Sequence, residues 1–383
     1  MTLRIVVDEN IPAADDYFGS LGEIEVVNGR QLGAAQLRDA DVLLVRSVTR
    51  VNADLLAGSR LRFVGSATSG VDHVDLELLE ERGIGFAHAP GANANSVVEY
   101  VLAAIAAIDD QLERLFAGGR VGIVGYGHIG QALARRLAAL CIDYCVYDPW
   151  LDAEGIPHHA PLHEVFASQV VTLHPELTLR QPWPSRHLLD TAELAGLNPE
   201  QLVINASRGA VVNNTALSAR LSSPSAPAVV LDVWEGEPAI DATLLQRVRI
   251  GSAHIAGYSL DGKLLGTRML REALTAQLGA GTPSPGRPGG EPSLLELRSA
   301  GDGPDLIREL LGQRYDILQD DALLRESSQQ ADPAAAFDRL RREYRERREL
   351  SGTPVAVSGG CDPRSSALIQ GLGCRLVAEA GTR

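Results

Sequence analysis

Three ionisable side chains follow predicted strands at positions that suit acid–base chemistry. Arg208 lies in NASRGAVV, Glu237 in LDVWEGEP and His254 in GSAHIAGY, each shortly after an apolar run of strand length. Histidine can take the proton of a hydroxyl group near neutral pH, and a neighbouring carboxylate orients its ring. Arginine can clamp a carboxylate and polarise a carbonyl as it forms. The three residues together predict oxidation of a hydroxy acid by hydride transfer.

Each of these residues also has an ordinary interpretation. Arg208 could be a surface charge, Glu237 a loop carboxylate and His254 a histidine that merely ends a strand. Asp232 is a fourth candidate at a strand end, and it could bind the carboxamide of a nicotinamide or cap a helix. Because the carboxyl ends of parallel strands border one crevice, we expect the three catalytic candidates to face the same cleft.

A glycine turn precedes this set in the chain. VGIVGYGHIGQALARRLAAL places Gly125, Gly127 and Gly130 in the spacing GxGxxG, between an apolar strand and a helix. The first glycine permits a tight turn, the second lets backbone amides approach a pyrophosphate, and the third lets the helix lie close to the sheet. The helix start, at His128 and Ile129, offers free N–H groups to phosphates. The alternative is a strand–turn–helix unit that binds no nucleotide.

Asp148 ends the next predicted strand, eighteen residues after Gly130. A carboxylate at that distance accepts hydrogen bonds from the adenosine ribose and repels a 2′-phosphate. Residues 149–151 contain no arginine that could hold such a phosphate. The sequence therefore predicts NAD rather than NADP as the cofactor, and no residue cluster predicts a metal.

The elements that must position these residues alternate along the chain. Short apolar runs alternate with helix-prone segments, which predicts parallel sheets covered by helices. SVVEYVLAAIAAI begins a predicted long helix from residue 96 to about residue 116. GTPSPGRPGGEPS, at 281–293, predicts a linker because its prolines and glycines cannot sustain regular structure. Beyond it, helices at 305–315 and 333–348 and two short strands predict a small α+β domain.

Composition excludes several classes of function. The net charge of −14 argues against a nucleic-acid partner, which a basic face would favour. No apolar run of membrane-spanning length and no signal peptide is evident, so we expect a cytoplasmic protein without a membrane partner. The four cysteines form no CxxC pair and fit a reducing compartment.

The order of GYGHIG, Asp148, NASRGAVV, LDVWEGEP and SAHIAGY resembles the D-2-hydroxyacid dehydrogenases. The resemblance implies two Rossmann-like doubly wound domains with an active-site cleft between them. It implies catalytic roles for the arginine, glutamate and histidine named above. It also implies further cofactor contacts at His174, Ala206 and Gly257, and substrate contacts at Ser47, Thr68 and Tyr258.

Other stretches, including VRSVTRVNADLL, APGANANSVVEYV and FDRLRREYRERRE, resemble one subgroup of this family that has an extra C-terminal domain. The subgroup implies a small phosphorylated hydroxy acid as substrate and homodimerisation through that domain. The expected domains are a substrate domain (1–95 and 258–280), an NAD-binding domain (96–257), the linker (281–293) and a C-terminal dimerisation domain (294–383).

The substrate phosphate has no single predicted partner. Candidates are Arg46 and the cluster Arg341–Arg348, which we expect to supply one arginine across a dimer interface. The alternative for the cluster is a solvated helix face.

His174-Pro175-Glu176-Leu177 departs from the His-Thr-Pro-Leu sequence usual in the family. Because Pro175 removes a backbone donor, we expect weaker cofactor binding at this loop.

Two rival functions share most of these motifs. One is another D-2-hydroxyacid dehydrogenase, such as phosphoglycerate dehydrogenase, although the C-terminal segment shows no amino-acid-sensing pattern. The other is a non-enzymatic NAD-sensing co-regulator that binds short peptides. Turnover of a hydroxy acid discriminates between an enzyme and a co-regulator.

Overall fold

The computed structural model describes residues 2–278, 288–298, 301 and 303–378. Of the predicted linker 281–293, residues 281–287 lie outside the described part of the chain. The chain divides into two compact units, Met1–Asn93 with Ser259–Glu291 and Ala94–Tyr258 with Pro292–Arg383. In this division the C-terminal residues group with residues 94–258, and the separate C-terminal domain stays a prediction.

Helices and strands alternate as the sequence predicts. The strands are β1 (Leu3–Asp8), β2 (Gly22–Val27), β3 (Val42–Val45), β4 (Phe63–Ser66), β5 (Gly85–His88), β6 (Arg120–Val124), β7 (Asp143–Tyr147), β8 (Val170–Leu173), β9 (Leu202–Asn205), β10 (Ala228–Leu231), β11 (Ile250–Gly251), β12 (Leu295–Leu297), β13 (Pro354–Val357) and β14 (Arg375–Leu376). The helices are α1 (Ala14–Phe18), α2 (Leu76–Glu81), α3 (Ala94–Ala107), α4 (Gln111–Phe116), α5 (His128–Ala139), α6 (Leu162–Phe166), α7 (Thr191–Ala195), α8 (Asn214–Arg220), α9 (Ala242–Arg247), α10 (Leu260–Leu278), α11 (Gly303–Gly312), α12 (Ile317–Ser327), α13 (Pro333–Arg342) and α14 (Pro363–Gly371).

The first unit contains a five-stranded parallel sheet in the order β2-β1-β3-β4-β5. Ile5, Leu44 and Phe63 on this sheet pack with Leu270 and Leu274 of α10 in one apolar cluster. This contact explains why a helix from late in the sequence belongs to the N-terminal unit.

The second unit contains a six-stranded parallel sheet in the order β11-β10-β9-β8-β6-β7. Its strands are short runs of valine, isoleucine and leucine, as expected for strands that helices cover on both faces. The chain builds outward in one direction from β6 to β7 and in the other from β8 onward, so the switch point lies between β6 and β8. Ligands bind at such a point in open α/β sheets.

A third, smaller parallel sheet has the order β12-β13-β14. The predicted α/β class, with two Rossmann-like sheets and a small C-terminal α+β part, is confirmed. Within the part of the chain that the structure describes, no helix is long and apolar enough to cross a membrane.

Two predicted helices were wrong in extent. The helix expected from residue 96 to about residue 116 is instead two helices, α3 and α4, because Asp109 adopts a left-handed backbone conformation (φ 41°) between them. The helix expected over 333–348 ends at Arg342. Beyond that point the chain turns so that Arg345 and Arg347 bond to groups of other elements. The predicted strand over 248–253 is paired only at Ile250–Gly251.

Helix α3 lies at the centre of the second unit and carries a buried carboxyl group, Glu99. Its Oε1 accepts a hydrogen bond of 2.7 Å from the backbone N–H of Leu350. Burial and the nearby charge of Glu349 raise the pKa of Glu99 to about 8, although the cation of Arg347 opposes the shift. Glu99 is therefore mostly protonated at neutral pH in the folded protein.

We predict that Glu99→Gln weakens the pH dependence of stability. The folded protein binds the Glu99 proton more tightly than the unfolded chain. The stability that this proton adds is fully present below the ordinary glutamate pKa and is lost as the pH rises towards about 8. Each bound proton corresponds to a slope of ~1.4 kcal/mol per pH unit. Glutamine keeps an acceptor for Leu350 and removes the titration. Denaturant unfolding between pH 5.5 and 8.5 should show a flatter decline for the variant.

The control is Glu154→Gln, which changes an exposed glutamate. It should reproduce the slope of the unmodified protein. The same slope in Glu99→Gln would show that Glu99 does not titrate in this range.

Candidate active site

The glycine turn between β6 and α5 has the geometry of a phosphate cradle. Gly125 has a φ of 94°, and a Cβ there would lie 2.7 Å from the backbone of His174. A Cβ at Gly130 would collide with the carbonyl oxygen of Gly125. At Gly127, the N-cap of α5, a Cβ would meet no atom within 4 Å. The helix start therefore combines open space with unpaired backbone N–H groups, which fits the pyrophosphate of a dinucleotide.

Asp148 lies beside this turn, just past the end of β7. Its Oδ2 accepts a hydrogen bond of 2.8 Å from the backbone N–H of Tyr126, and its Oδ1 accepts one of 3.0 Å from that of Trp150. These bonds fix the carboxylate next to the glycine turn, and an ionised carboxylate retains lone pairs for ribose hydroxyls. The Arg180 guanidinium lies 4.1 Å from the centre of the Trp150 ring. The sequence prediction considered only residues 149–151 when it looked for an arginine near Asp148, so it did not find Arg180.

His254 and Glu237 form a direct pair. His254 Nδ1 and Glu237 Oε2 are 2.8 Å apart, and Glu237 Oε1 accepts a hydrogen bond of 2.8 Å from the backbone N–H of Trp234. Burial alone would raise the pKa of Glu237. The hydrogen bond and charge of His254, the Trp234 amide and the charge of Arg341 outweigh burial, so the pKa lies below its usual value. The carboxylate is ionised at neutral pH and leaves Nε2 of His254 for a substrate hydroxyl.

Asp232 holds the segment that carries His254. Its side chain is 1% exposed. Oδ1 accepts hydrogen bonds from Ser252 Oγ (2.6 Å) and the Ile255 amide (2.8 Å), and Oδ2 accepts one from the Ala256 amide (3.0 Å). The Asp232 carbonyl also accepts from the His254 amide at 2.7 Å. Asp232 caps none of the described helices, and its carboxylate is engaged with this segment. A nicotinamide contact at Asp232 stays a prediction.

Arg208 lies in the loop after β9. Asn205 Nδ2 donates to its carbonyl at 3.1 Å, and its own Nη1 donates to the Ser207 carbonyl at 2.9 Å. A Cβ at Gly209 would collide with the backbone of Trp234, so this loop packs directly against the turn that carries Glu237. The structure thus brings the arginine loop and the glutamate turn together, as the strand-end pattern predicts.

The backbone of His174 lies against the glycine turn at Gly125, and its ring is buried. Its Nε2 lies 2.9 Å from Thr172 Oγ1, and burial lowers its pKa to about 3. Its backbone N–H donates to Val124 at 2.7 Å, which places it at the switch point of the sheet. Ala206 is buried after β9, and Gly257 is half-buried beside Tyr258. Their predicted cofactor contacts stay predictions.

Two of the predicted substrate residues lie in the first unit. Ser47 is exposed after β3. Thr68 follows β4, and its Oγ1 lies 2.7 Å from Ser66 Oγ and donates to the Gly70 carbonyl at 2.9 Å. Ser66 Oγ in turn lies 2.9 Å from His73 Nε2. Sequence reasoning missed Ser66 and His73, because nothing in SATSGVDH distinguishes a hydrogen-bonded chain from a polar loop.

The third predicted substrate residue, Tyr258, contacts the C-terminal part of the chain. Its ring packs edge-on against Tyr344, with ring centres 5.8 Å apart. Arg341 shares a hydrogen bond with its hydroxyl group. Sequence reasoning did not connect Arg341 with Tyr258 or Glu237, because more than eighty residues separate them in the sequence.

The interpretation of the arginine cluster as a solvated helix face needs correction. Arg345 donates to Asp320 at 2.6 Å, and Arg347 is 3% exposed. Arg341 also bonds within its own chain. A role for the cluster across a dimer interface stays a prediction. Among the described residues, no group of three or more histidine, cysteine, aspartate or glutamate side chains could hold a metal ion.

Comparison with known families agrees with this geometry. Residues 105–256 match the model of the D-isomer specific 2-hydroxyacid dehydrogenase, NAD binding domain. Residues 291–373 match a domain of unknown function (DUF3410). A solved structure of 3-phosphoglycerate dehydrogenase from Entamoeba histolytica with bound NAD+ superposes with a TM-score of 0.63. It is 19% identical, and the match covers 74% of this chain and 97% of that one, which shows a shared fold.

The fold and the site define an NAD-dependent dehydrogenase of the D-2-hydroxyacid class. The chain is 46% identical to an erythronate-4-phosphate dehydrogenase of Marinobacter nauticus, over 93% of this chain and 95% of that protein. It is also 46% identical to one of Cellvibrio japonicus, with the same two coverages. The chain therefore belongs to the erythronate-4-phosphate dehydrogenase family. The expected class of enzyme and its NAD cofactor are confirmed.

We predict that Glu237→Gln lowers kcat by roughly 10²-fold or more, because the imidazolium formed at His254 loses its counter-charge. Glutamine still accepts from the Trp234 amide, so the turn should keep its shape. The dissociation constant for NAD+ should change by less than about twofold, measured by fluorescence titration, because the pair lies outside the phosphate cradle.

The matched control is Glu235→Gln. Glu235 Oε1 lies 2.7 Å from His187 Nε2, so it forms a second glutamate–histidine pair two residues away. Loss of the Glu235–His187 pair in this variant should lower kcat far less than Glu237→Gln does. Equal losses in the two variants would mean that Glu237 acts only on the local fold.

Proposed function

We propose that this protein oxidises 4-phospho-D-erythronate at C2 with NAD+, forming (R)-3-hydroxy-2-oxo-4-phosphooxybutanoate. The reaction belongs to the synthesis of pyridoxal 5′-phosphate, or vitamin B6. The 2.8 Å pair of His254 and Glu237 carries the proposal, because a histidine bonded to a carboxylate is suited to act as a general base. The similarity to relatives named for this substrate spans nearly the whole chain and supports the choice among hydroxy acids.

The residues divide the chemistry between them. NAD+, when bound, accepts the hydride that leaves C2. His254 Nε2 removes the proton of the C2 hydroxyl group, and the ionised Glu237 stabilises the resulting imidazolium. Arg208 binds the substrate carboxylate and polarises the carbonyl that forms at C2. The alcohol thus loses one hydride and one proton, and the 2-oxo acid results.

The remaining contacts orient the substrate. Ser47 and Tyr258 donate through their hydroxyl groups to its carboxylate or phosphate oxygens, and Thr68 does so once its hydroxyl proton leaves the Gly70 carbonyl. Gly125, Gly127 and Gly130, with the first residues of α5, hold the pyrophosphate, and Asp148 holds the adenosine ribose. His174, Ala206, Asp232 and Gly257 contact the rest of the cofactor.

We also propose a homodimer that forms through the C-terminal residues and works in the cytoplasm. Leu294, Leu318 and Leu323 are exposed in that part of the chain, although large apolar side chains are usually buried. The proposal rests on the resemblance of the C-terminal residues to a subgroup with a dimerising domain, and these leucines are side chains that such an interface would cover. The acidic charge and reduced cysteines are in keeping with the cytoplasm.

The test is turnover of 4-phospho-D-erythronate by the purified protein, followed as absorbance of NADH at 340 nm. Parallel assays should contain 2-oxoglutarate as a possible hydride acceptor, with detection of the 2-oxo product by mass spectrometry. His254→Ala should lower kcat by about 10²-fold or more, because it removes the base. It should still bind NAD+.

The substrate panel should include 3-phospho-D-glycerate and D-lactate. Their kcat/KM values should be far lower than that of 4-phospho-D-erythronate. Preference for another D-2-hydroxy acid would contradict the proposed substrate. Binding of NAD+ without turnover of any hydroxy acid would contradict the enzymatic function.

A further inference from the structure

The C-terminal part of the chain reaches the segment that carries His254. That part matches a domain of unknown function over 291–373. Residues 341–347, here called the clamp segment, begin at the end of α13 and contact residues 256–258 at two places. Both contacts lie within the second unit. They therefore connect a region without an assigned function to the proposed catalytic machinery.

The first contact fixes the backbone at Ala256. Arg347 Nη2 donates to the Ala256 carbonyl at 3.0 Å and to the Ser96 carbonyl at 3.2 Å, and it also bonds to Ser96 Oγ. Ser96 Oγ donates to the same Ala256 carbonyl at 2.7 Å. Because the Ala256 amide is bonded to Asp232, both sides of this residue are held. The peptide two residues after His254 therefore has little freedom to move.

The second contact fixes the side chain of Tyr258. Tyr344 packs edge-on against the ring, and Arg341 bonds to the hydroxyl group. Arg341 is half-buried, and its charge also acts on Glu237. One cation thus serves both the tyrosine and the carboxylate that orients His254.

The clamp segment is itself held rigidly. The Arg347 guanidinium lies 4.1 Å from the centre of the Tyr315 ring. Asp320 of α12 accepts a hydrogen bond of 2.9 Å from the Tyr344 hydroxyl group and one of 2.6 Å from Arg345. Burying a guanidinium is costly, and the hydrogen bonds of Nη2 and the contact with the Tyr315 ring offset part of that cost.

We propose that the clamp segment is a positioning element of the active site, with Arg341 and Arg347 as positioning residues that hold His254 and Tyr258 in register. The role rests on the proposed function of those two residues. A base must lie within hydrogen-bond reach of the proton it takes, and a displacement of about 1 Å can cost 10²-fold in rate. The C-terminal region therefore contributes to catalysis in its own chain, whatever it contributes to assembly.

The test compares Arg341→Gln, Arg341→Lys and Arg347→Lys with the control Arg342→Gln. Arg342 lies on the same helix but is exposed and paired only with Glu343 among the contacts described. Arg341→Gln should lower kcat by ~10-fold or more and leave the NAD+ dissociation constant within about twofold. Arg341→Lys keeps the charge and should recover part of the loss.

Arg347→Lys covers the case in which removing a buried charge unfolds the protein. Lysine keeps the cation but lacks the planar guanidinium that lies over the Tyr315 ring, so kcat should again fall by ~10-fold. In each variant, kcat should fall by the same factor with 4-phospho-D-erythronate as with D-erythronate. A loss confined to the phosphorylated substrate would overturn the proposal, because Arg341 would then be a phosphate ligand. Unchanged kcat in the folded variants would also overturn it.

A readout without substrate separates this proposal from the proposed function. The groups that face Glu237 are His254, the Trp234 amide and Arg341. In ¹³C-glutamate-labelled protein, with Glu237 assigned through Glu237→Gln, the carboxyl titration midpoint should rise in Arg341→Gln and not in Arg342→Gln. Equal midpoints would overturn the electrostatic link between Arg341 and Glu237. A rise in a protein that oxidises neither substrate would leave the clamp supported and the proposed function contradicted.

Discussion

The buried carboxylate of Asp232 is the constraint on which the active site depends. It accepts three hydrogen bonds from the segment 252–256, and a buried charge without such partners would cost several kcal/mol. If the segment moved away, the Asp232 carboxylate would remain buried without these hydrogen-bond donors. His254 adopts a left-handed conformation (φ 56°) within this arrangement. That uncommon backbone places its ring against Glu237 instead of continuing the strand direction.

The parallel sheet explains why residues distant in sequence can act together. Arg208, Asp232 and His254 each follow a strand of one sheet, and parallel strands direct all their carboxyl ends to one edge. The glycine turn follows β6 at the same edge. The proposed cofactor and acid–base residues thereby lie on short loops that follow buried strands of the same sheet. The C-terminal segment adds a second support to the histidine loop from a different direction.

The sequence predicted the features whose causes are local. The glycine turn needs three glycines at fixed spacing, and the strand ends follow short β-branched runs. Both features could therefore be recognised from the sequence alone. The break at Asp109 was not predicted, because the alanine-rich sequence before it and the QLERLF run after it both favour helix. The contacts of Arg341 and Arg347 were also missed. They depend on tertiary packing between residues far apart in sequence, and an arginine-rich helix usually indicates a solvated face.

The central claim is that hydride leaves C2 of a hydroxy acid while His254 takes the hydroxyl proton. The most direct measurement is a single turnover of [2-²H]-4-phospho-D-erythronate by the NAD+-loaded protein, with mass spectrometry of the cofactor. The structure predicts deuterium on the reduced nicotinamide and a primary isotope effect on the transfer step. Deuterium retained in the recovered substrate or lost to water, with NAD+ bound throughout, would contradict this account.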